Sequence, residues 1–254
     1  MMTKALLDSF YKRIGYRSDK GVTFADLPKI LSLTALQFPF ENEAVLKNER
    51  IPMTKQSLTE ALLNNKRGGI CYDLNAFLYY VLKEIGFSVQ MVQGTVFHQK
   101  EGAWAQTGTH VSVILQEESE MYLLDTGFGA NLPLAPVPFS GEPVTSKTGI
   151  YRVRKAKTDK GDYLLEMDKG EGWQIGYAFT LKPIDEKVLA DIRDAIFDEE
   201  ESPFNKNPLA SKLTKDGKLI LSKDHFTKET NGDLTKEAIT LEEFSKIFKS
   251  VFFD

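Results

Sequence analysis

The sequence predicts an α+β fold, because two hydrophobic periodicities follow each other along its 254 residues. Up to residue 86, apolar residues recur every three or four positions, as they do on one face of an amphipathic helix. From residue 87 the pattern changes to short apolar runs separated by glycine, aspartate and proline, which is typical of strands and turns. From residue 183 the two patterns alternate. We therefore expect a helical N-terminal part, then a small sheet or barrel, then a mixed C-terminal part.

The helices are placed by their apolar stripes and their end signals. The fourth helix is predicted from Cys71 to residue 85, and Gly86 supplies a natural C-terminal stop. The Lys-Pro pair at 182–183 is predicted to open a later amphipathic helix, and Thr240 with Glu243 forms a capping box before the last helix. The earlier helices are predicted around Leu6, Phe10 and Ile14, after Asp26 and Pro28, and over residues 58–64.

Six strands are predicted between residues 87 and 182, each bounded by turn-forming residues. They cover residues 88–96, 109–116, 121–126, 150–155, 163–167 and 173–180. Beyond them, the Asp-Gly pair at 216–217 and the Asn-Gly pair at 231–232 indicate further turns between strands. Only a short polar segment separates the second run from the third, which favours an antiparallel hairpin.

Composition and charge exclude several classes of protein. The chain is 42% hydrophobic and 11% aromatic, yet it contains no apolar run of the ~18 residues that a membrane span needs. A formal charge of -4 leaves no broad cationic face, so neither nucleic acid nor a membrane is expected as a partner. A single cysteine forms no disulfide and the N-terminus shows no secretory segment, which predicts a cytoplasmic protein. Three histidines without ligand spacing predict no metal site.

The single cysteine is the first candidate for chemistry. The segment Arg-Gly-Gly-Ile-Cys delivers Cys71 to the first turn of the fourth predicted helix. At that position, unpaired N–H groups and the positive end of the helix dipole favour a thiolate and offer donors to a developing oxyanion. The alternative is a buried, inert thiol, which is the more common state of a lone cysteine without such a context.

His110 and Asp125 are the second and third candidates, since they lie on the two strands of the predicted hairpin. If the hairpin is symmetric, Gln116 pairs with Met121 and Ser112 lies opposite Asp125. His110 and Asp125 then share one face as diagonal neighbours with backbones ~7 Å apart, a distance that their side chains bridge. An odd loop or a bulge would place them on opposite faces, so the register tests this interpretation.

Together, Cys71, His110 and Asp125 supply a nucleophile, a base and an orienting acid. Their order along the chain suits papain-like and transglutaminase-like architectures, in which a cysteine on a helix faces a histidine and a carboxylate on adjacent strands. Each residue alone also has an ordinary structural explanation, such as a histidine near a strand start or an aspartate before a turn. His98 and His225 fit such a site less well, because both are predicted to be solvated, His98 in a loop and His225 in a polar segment.

Several short motifs around these residues occur in a characteristic order. They are residues 11–15, 39–42, 67–71, 86–89, 109–110 and 125–129, together with Asn75. The most specific are Arg-Gly-Gly-Ile-Cys, the Thr-His pair and Asp-Thr-Gly-Phe-Gly. In these motifs the sequence resembles the arylamine N-acetyltransferases over roughly the first half of the chain. The second half is similar in its layout and in Ser-Pro-Phe at 202–204.

This resemblance implies a protein of three parts. A helical bundle (residues 1–86) carries the nucleophile, an antiparallel β-barrel (87–182) carries His110 and Asp125, and an α/β lid (183–254) follows. It also implies ping-pong chemistry, in which Cys71 takes an acetyl group from the co-substrate acetyl-coenzyme A and passes it to an aromatic amine, hydrazine or hydroxylamine. The backbone N–H of Cys71, at the helix start, is the first candidate for an oxyanion hole.

The resemblance further assigns six residues to substrate binding: Phe40, Val96 and Phe128 around the aromatic acceptor, and Thr109, Gly127 and Gly129 along the path of approach. For the first two, a plain core position is the alternative.

Two expectations remain open at this stage. Glu41 and Arg67 are expected to form a buried ion pair that ties residues 39–42 to the Gly-Gly turn before Cys71. The alternatives to an acetyltransferase are a transglutaminase-like or papain-like thiol hydrolase that uses the same three residues, and a non-catalytic domain on the same scaffold.

Overall fold

The computed structural model describes residues 2–17 and 20–253, without the side chains of residues 2–4. Its helices are α1 (Met2–Ile14), α2 (Leu27–Gln37), α3 (Glu43–Leu46), α4 (Lys55–Thr59), α5 (Cys71–Ile85), α6 (Glu186–Asp198) and α7 (Leu241–Phe252). Its strands are β1 (Phe40–Glu41), β2 (Ser88–His98), β3 (Ala103–Trp104), β4 (His110–Glu117), β5 (Glu120–Leu124), β6 (Val137–Pro138), β7 (Val144–Ser146), β8 (Gly149–Lys155), β9 (Tyr163–Asp168), β10 (Gln174–Ile184), β11 (Leu209–Leu213), β12 (Gly217–Ser222), β13 (His225–Thr230) and β14 (Asp233–Ala238). The predicted α+β class is confirmed.

The larger sheet is antiparallel and nearly closes into a barrel. Its strand order is β6-β5-β4-β2-β10-β9-β8-β7, β3 pairs with β2, and β6 packs against β8. Apolar side chains fill it, including Val92, Ile114, Leu123, Tyr151, Leu165 and Phe179. The β4–β5 hairpin has the predicted register, since Gln116 pairs with Met121 and Val113 pairs with Leu124. Asp125 therefore follows the last paired residue of β5 directly.

Helix α5 is the central helix of the N-terminal part, and its bounds are those predicted from the sequence. It ends at Gly86, whose φ of 112° is a left-handed conformation that glycine adopts without strain. One side of α5 packs against β2 and β4, and another packs against α1. Within its first turns, the Asn75 amide donates to the carbonyl of Val111 at 2.7 Å. The start of α5 is thereby held beside the start of β4.

The smaller sheet joins a strand of the N-terminal part to four strands of the C-terminal part. Its order is β1-β11-β12-β13-β14, and α7 packs on β11 and β12. Strand β1 belongs to the N-terminal part, yet Phe40 pairs with Ser211 and Glu41 pairs with Ala210. The predicted capping box of Thr240 is present at α7, and the predicted turn at 231–232 joins β13 to β14. The C-terminal sheet therefore includes one strand, β1, from the first part of the chain.

Two helix starts differ from the sequence prediction. The Lys-Pro pair at 182–183 lies in β10, because that strand continues to pair with β2 up to Ile184. Helix α6 begins only after Asp185, whose carboxylate accepts the N–H of Val188 at 2.9 Å. The helix predicted over residues 58–64 begins earlier, at Lys55, and its second half is a π-helical turn over Glu60–Asn64. Among the described residues, no helix has both the length and the apolar character that crossing a bilayer requires.

Asn42 fastens the first part of the chain to the loop before β11. Its amide donates to the carbonyls of Phe204 at 2.7 Å and Asn207 at 2.9 Å, and its side-chain oxygen accepts the N–H of Leu209 at 2.8 Å. Asn42 is only 2% exposed, so these groups have little access to water as a substitute partner.

We expect Asn42→Ala to lower the free energy of unfolding by about 2–4 kcal/mol, because three backbone groups would lose their partner in a buried place. Urea unfolding monitored by circular dichroism measures this change. Asn64→Ala is the matched control, since Asn64 is exposed and bonds only Glu60; we expect it to cost less than about 0.5 kcal/mol. Equal losses in the two variants would contradict the anchoring role of Asn42.

Candidate active site

The segment before α5 is held in one conformation by contacts with β1. Gly69 donates to the carbonyl of Pro39 at 3.2 Å, and its own carbonyl accepts the N–H of Glu41 at 3.0 Å. A Cβ on Gly69 would lie 2.6 Å from the Cβ of Asp73, so only glycine fits. The Asp73 carboxylate accepts the N–H of Ile70 at 3.1 Å. These contacts place Cys71 as the first residue of the helix, where its N–H needs no helical acceptor.

His110 and Asp125 are in direct contact, as the hairpin register predicted. His110 is the first residue of β4 and pairs with Gly94 of β2, and Asp125 follows β5. Their side chains meet at 2.7 Å, between Nε2 of the ring and Oδ2 of the carboxylate. Both residues are only 2% exposed. The pair is therefore shielded from solvent and held by the two strands of one hairpin.

The carboxylate of Asp125 accepts hydrogen bonds at both of its oxygens. Oδ1 accepts the Asn75 amide and the N–H of Gly127, each at 2.7 Å. Oδ2 accepts the Tyr177 hydroxyl at 2.8 Å in addition to its contact with His110. Burial alone would raise the pKa of Asp125, but the charge of His110 and these donors hold the pKa below its usual value. Asp125 is thus a stably ionised carboxylate inside the protein.

The Cys71 side chain completes the cluster. Its sulfur lies 3.4 Å from the carbonyl oxygen of Thr109, and the Cys71 side chain is close enough to His110 to raise the pKa of the ring. Because Nε2 of the ring is engaged by Asp125, Nδ1 is the ring nitrogen left to interact with the sulfur. Burial lowers the pKa of His110, but the charge and hydrogen bond of Asp125, together with Cys71, outweigh it and raise the pKa above its usual value. The structure therefore brings the three predicted residues together.

Gly127 allows the loop after β5 to approach the start of α5. A Cβ at this position would lie 2.6 Å from the Cα of Cys71 and 2.8 Å from Nδ2 of Asn75. Any larger residue would push the Asp125 loop away from the helix. The Gly in the Asp-Thr-Gly-Phe-Gly motif is thus required by the close contact between two backbones.

A cavity of about 830 Å³ opens in front of Cys71 and His110. All six residues that the resemblance assigned to substrate binding line this cavity: Phe40, Val96, Thr109, Gly127, Phe128 and Gly129. Phe128 also packs edge-to-face on the ring of His110, with their centroids 5.5 Å apart. Within residues 2–17 and 20–253, no group of three or more His, Cys, Asp or Glu side chains is arranged to hold a metal ion.

Several residues of the site were not identified from the sequence. Tyr177 of β10 has no motif around it, and only the sheet order brings it to Asp125. Trp104, at the end of the short strand β3, and Phe204, in the loop after α6, line the cavity, and their positions depend on long-range contacts. His98 was predicted in a solvated loop, but it ends β2 and lines the cavity, because β2 continues beyond residue 96. His225 is the first residue of β13, outside this cavity.

The expected ion pair of Glu41 and Arg67 is wrong. Arg67 instead pairs with Glu49 near the surface, and Glu41 accepts the N–H of Glu43 at 2.6 Å. Glu41 is 4% exposed, and burial raises its pKa to about 7 although the bond from Glu43 and the charge of Arg67 act in the opposite direction. The backbone bonds from Gly69, rather than a charge pair, tie β1 to the turn before Cys71.

The Tyr177 hydroxyl should matter to the reaction and not only to stability. We expect Tyr177→Phe to lower the rate of the reaction at Cys71 several-fold, because Asp125 loses one of its donors, and to lower the free energy of unfolding by about 1–2 kcal/mol. Tyr151→Phe is the matched control: Tyr151 is also fully buried, but its hydroxyl bonds Thr148. It should cost similar stability while the reaction rate stays near normal. Equal rate losses would assign Tyr177 a purely structural role.

The ring of His110 should stay protonated through neutral pH. Since its pKa is raised on folding, its stabilising effect is complete below the usual value of 6.5 and is lost as the pH rises through the raised value. The pKa of Asp125 is lowered, so its effect is complete above the usual value of 3.8 and is lost as the pH falls through the lowered value. Nitrogen NMR of histidine-labelled protein measures the ring directly. Deprotonation of His110 near its usual value would contradict the ion pair.

Comparison with known proteins agrees with this geometry. A family model described as N-acetyltransferase matches residues 23–253. A Bacillus subtilis protein named an uncharacterized acetyltransferase, YvcN, is 51% identical over 231 residues, which cover 91% of this chain and 90% of that protein. The structure of arylamine N-acetyltransferase C from Bacillus anthracis has 42% identity and a TM-score of 0.94, covering 97% of both chains.

A second arylamine N-acetyltransferase structure, NAT3 from Bacillus cereus, has the same identity, TM-score and coverage. That enzyme has a unique Cys-His-Glu catalytic triad, whereas the carboxylate beside His110 in this chain is an aspartate. The chain belongs to the arylamine N-acetyltransferase family of acyltransferases.

Proposed function

We propose that this protein transfers an acetyl group from acetyl-coenzyme A, through a thioester on Cys71, to the amino group of an arylamine, hydrazine or hydroxylamine. The observation that carries the proposal is that the hydrogen-bonded pair of His110 and Asp125 lies beside Cys71 at the wall of an aromatic cavity. Membership of the family supports the same chemistry. The cytoplasmic location and the division at residues 86 and 182 remain predictions.

In the first half-reaction, the Cys71 sulfur attacks the carbonyl carbon of the acetyl thioester while His110 holds the proton of the thiol. The resulting oxyanion accepts the N–H of Cys71, which is free of helical bonding at the start of α5. When the intermediate collapses, the bond to the coenzyme sulfur breaks and that sulfur takes the proton from His110. Acetylated Cys71 and free coenzyme A remain.

In the second half-reaction, the lone pair of the acceptor amine attacks the carbonyl carbon of acetyl-Cys71. His110 takes a proton from the amine nitrogen, and the oxyanion again accepts the N–H of Cys71. Collapse breaks the bond to the Cys71 sulfur, which recovers a proton from His110, and the acetylated amine leaves. Asp125 orients the ring throughout, because it engages Nε2 and leaves Nδ1 to exchange protons at the sulfur.

The cavity supports an aromatic acceptor. Phe40, Val96 and Phe128 line the same cavity as Cys71, and Phe40 packs edge-to-face against Phe204 at a centroid distance of 5.8 Å. A ring placed among these side chains would bury its faces against apolar and aromatic surface. Its amino group would then point toward Cys71, along the side lined by Gly127 and Gly129.

We expect Cys71→Ala to abolish acetyl transfer with little change in Tm, because only the sulfur is lost from a helix start. The assay mixes purified protein with acetyl-coenzyme A and an aromatic hydrazine and follows the release of free thiol. Intact-mass analysis without acceptor should find one acetyl group on the wild type, at Cys71, and none on the variant. Amide or peptide hydrolysis without thiol release would favour a thiol hydrolase, and the absence of both activities would favour a binding domain.

Asp125→Asn should lower both the rate and the stability. Because each carboxylate oxygen accepts two donors, an amide NH₂ in either orientation would face groups that also donate. We expect roughly a 10⁴-fold loss of transfer and a loss of about 2–4 kcal/mol in the free energy of unfolding. Asp168→Asn is the control, since Asp168 accepts only turn N–H groups from Gly170 and Gly172. An unchanged transfer rate in Asp125→Asn would mean that another group orients His110.

A further inference from the structure

The cavity in front of Cys71 has two chemically different zones. The zone near the nucleophile is apolar and aromatic, with Phe40, Phe128, Trp104 and Phe204 among its lining residues. The zone farther out is polar and contains Glu101, Glu199 and Glu201. All three glutamates are exposed at the surface. An acceptor ring in the inner zone would therefore direct its far substituent toward carboxylates.

The charge of the outer zone is one-sided. Within the part of the chain that the structure describes, the cavity lining contains no lysine and no arginine. Behind the wall, the ammonium of Lys169 bonds Oδ1 of Asn131 without itself lining the cavity. The cationic ring of His110 also lines the cavity, but the carboxylate of Asp125 offsets its charge, so the three glutamates dominate the charge of the lining.

The two segments that carry these glutamates are fastened to each other. Glu101 lies in the turn between β2 and β3, and Glu199 and Glu201 follow α6. Gln106, in the segment after β3, donates to Oε2 of Glu199 at 2.7 Å and to the carbonyl of Ala195 at 3.3 Å. These two bonds fasten the segment after β3 to the end of α6 and hold the carboxylate of Glu199 at the edge of the cavity.

We infer that this acidic rim selects the acceptor by charge: the enzyme uses aromatic amines or hydrazines that are uncharged or cationic at the end opposite the amino group, and discriminates against those with a carboxylate there. This inference rests on the proposed function. Like charges within about 8 Å repel each other measurably at physiological ionic strength, whereas greater separations are screened. A neutral amide in place of the acceptor carboxylate removes the repulsion and keeps the ring in place.

The test compares 4-aminobenzamide with 4-aminobenzoate as acceptors, and uses 4-nitrophenyl acetate as an uncharged acetyl donor so that coenzyme charge has no influence. The quantity is the ratio of kcat/KM for the amide to that for the carboxylate, measured at the same pH for every variant so that the charge of the His110–Asp125 pair does not differ between them. The rim variant combines Glu101→Gln, Glu199→Gln and Glu201→Gln. Glutamine keeps an oxygen that accepts the bond from Gln106.

We expect the ratio to fall roughly three- to tenfold in the rim variant. The control variant combines Glu142→Gln, Glu171→Gln and Glu237→Gln, which removes the same charge from exposed residues outside the cavity and should leave the ratio unchanged. In the wild type, raising the ionic strength should lower the ratio, because salt screens the rim.

An unchanged ratio in the rim variant, an equal fall in the control variant, or a ratio that does not respond to salt would each overturn the inference. In those outcomes both acceptors are still acetylated, and the proposed function stands. If neither acceptor is acetylated and Cys71 takes no acetyl group, the proposed function fails and the inference fails with it.

Discussion

The buried carboxylate of Asp125 is the interaction on which the site depends. It accepts hydrogen bonds from Asn75 on α5, His110 on β4, Tyr177 on β10 and the backbone of Gly127. Removing a charged carboxylate from water costs several kcal/mol, and it is tolerated only where a cation and donors replace the water. The same bonds that stabilise the charge also join the central helix to the large sheet. Catalytic geometry and fold are therefore held by the same contacts.

Three carboxylates lie near the nucleophile, those of Asp73, Glu41 and Asp125, and their different surroundings give them different pKa values. Burial raises the pKa of Asp73 to about 8 and that of Glu41 to about 7, because the backbone bonds to each do not offset the loss of water. Asp125 alone has a cationic ring in contact, and its pKa is lowered. Close to neutral pH, much of the negative charge in this region is therefore concentrated beside His110, where it stabilises the imidazolium.

The sequence allowed the local features of the site to be predicted. The bounds of α5 follow from an apolar stripe that ends at a glycine, and the contact of His110 with Asp125 follows from the symmetry of one hairpin. Both depend on residues close together along the chain. Tyr177 was not identified, because its approach to Asp125 depends on which strand lies next to β2. The Lys-Pro pair at 182–183 was assigned to a helix start, where proline is common. It lies instead in a strand that pairs with β2, and local sequence alone does not distinguish these two positions for a proline.

The anchor at Asn42 has a consequence for synthesis of the protein on the ribosome. One wall of the cavity belongs to the loop that ends at Leu209, and that loop is held by an asparagine made more than 150 residues earlier. While the chain is emerging, Cys71 and the whole large sheet exist before this wall does. In the nascent chain the nucleophile is therefore present before its cavity is complete, and the cavity forms only when the C-terminal part of the polypeptide packs against the first part.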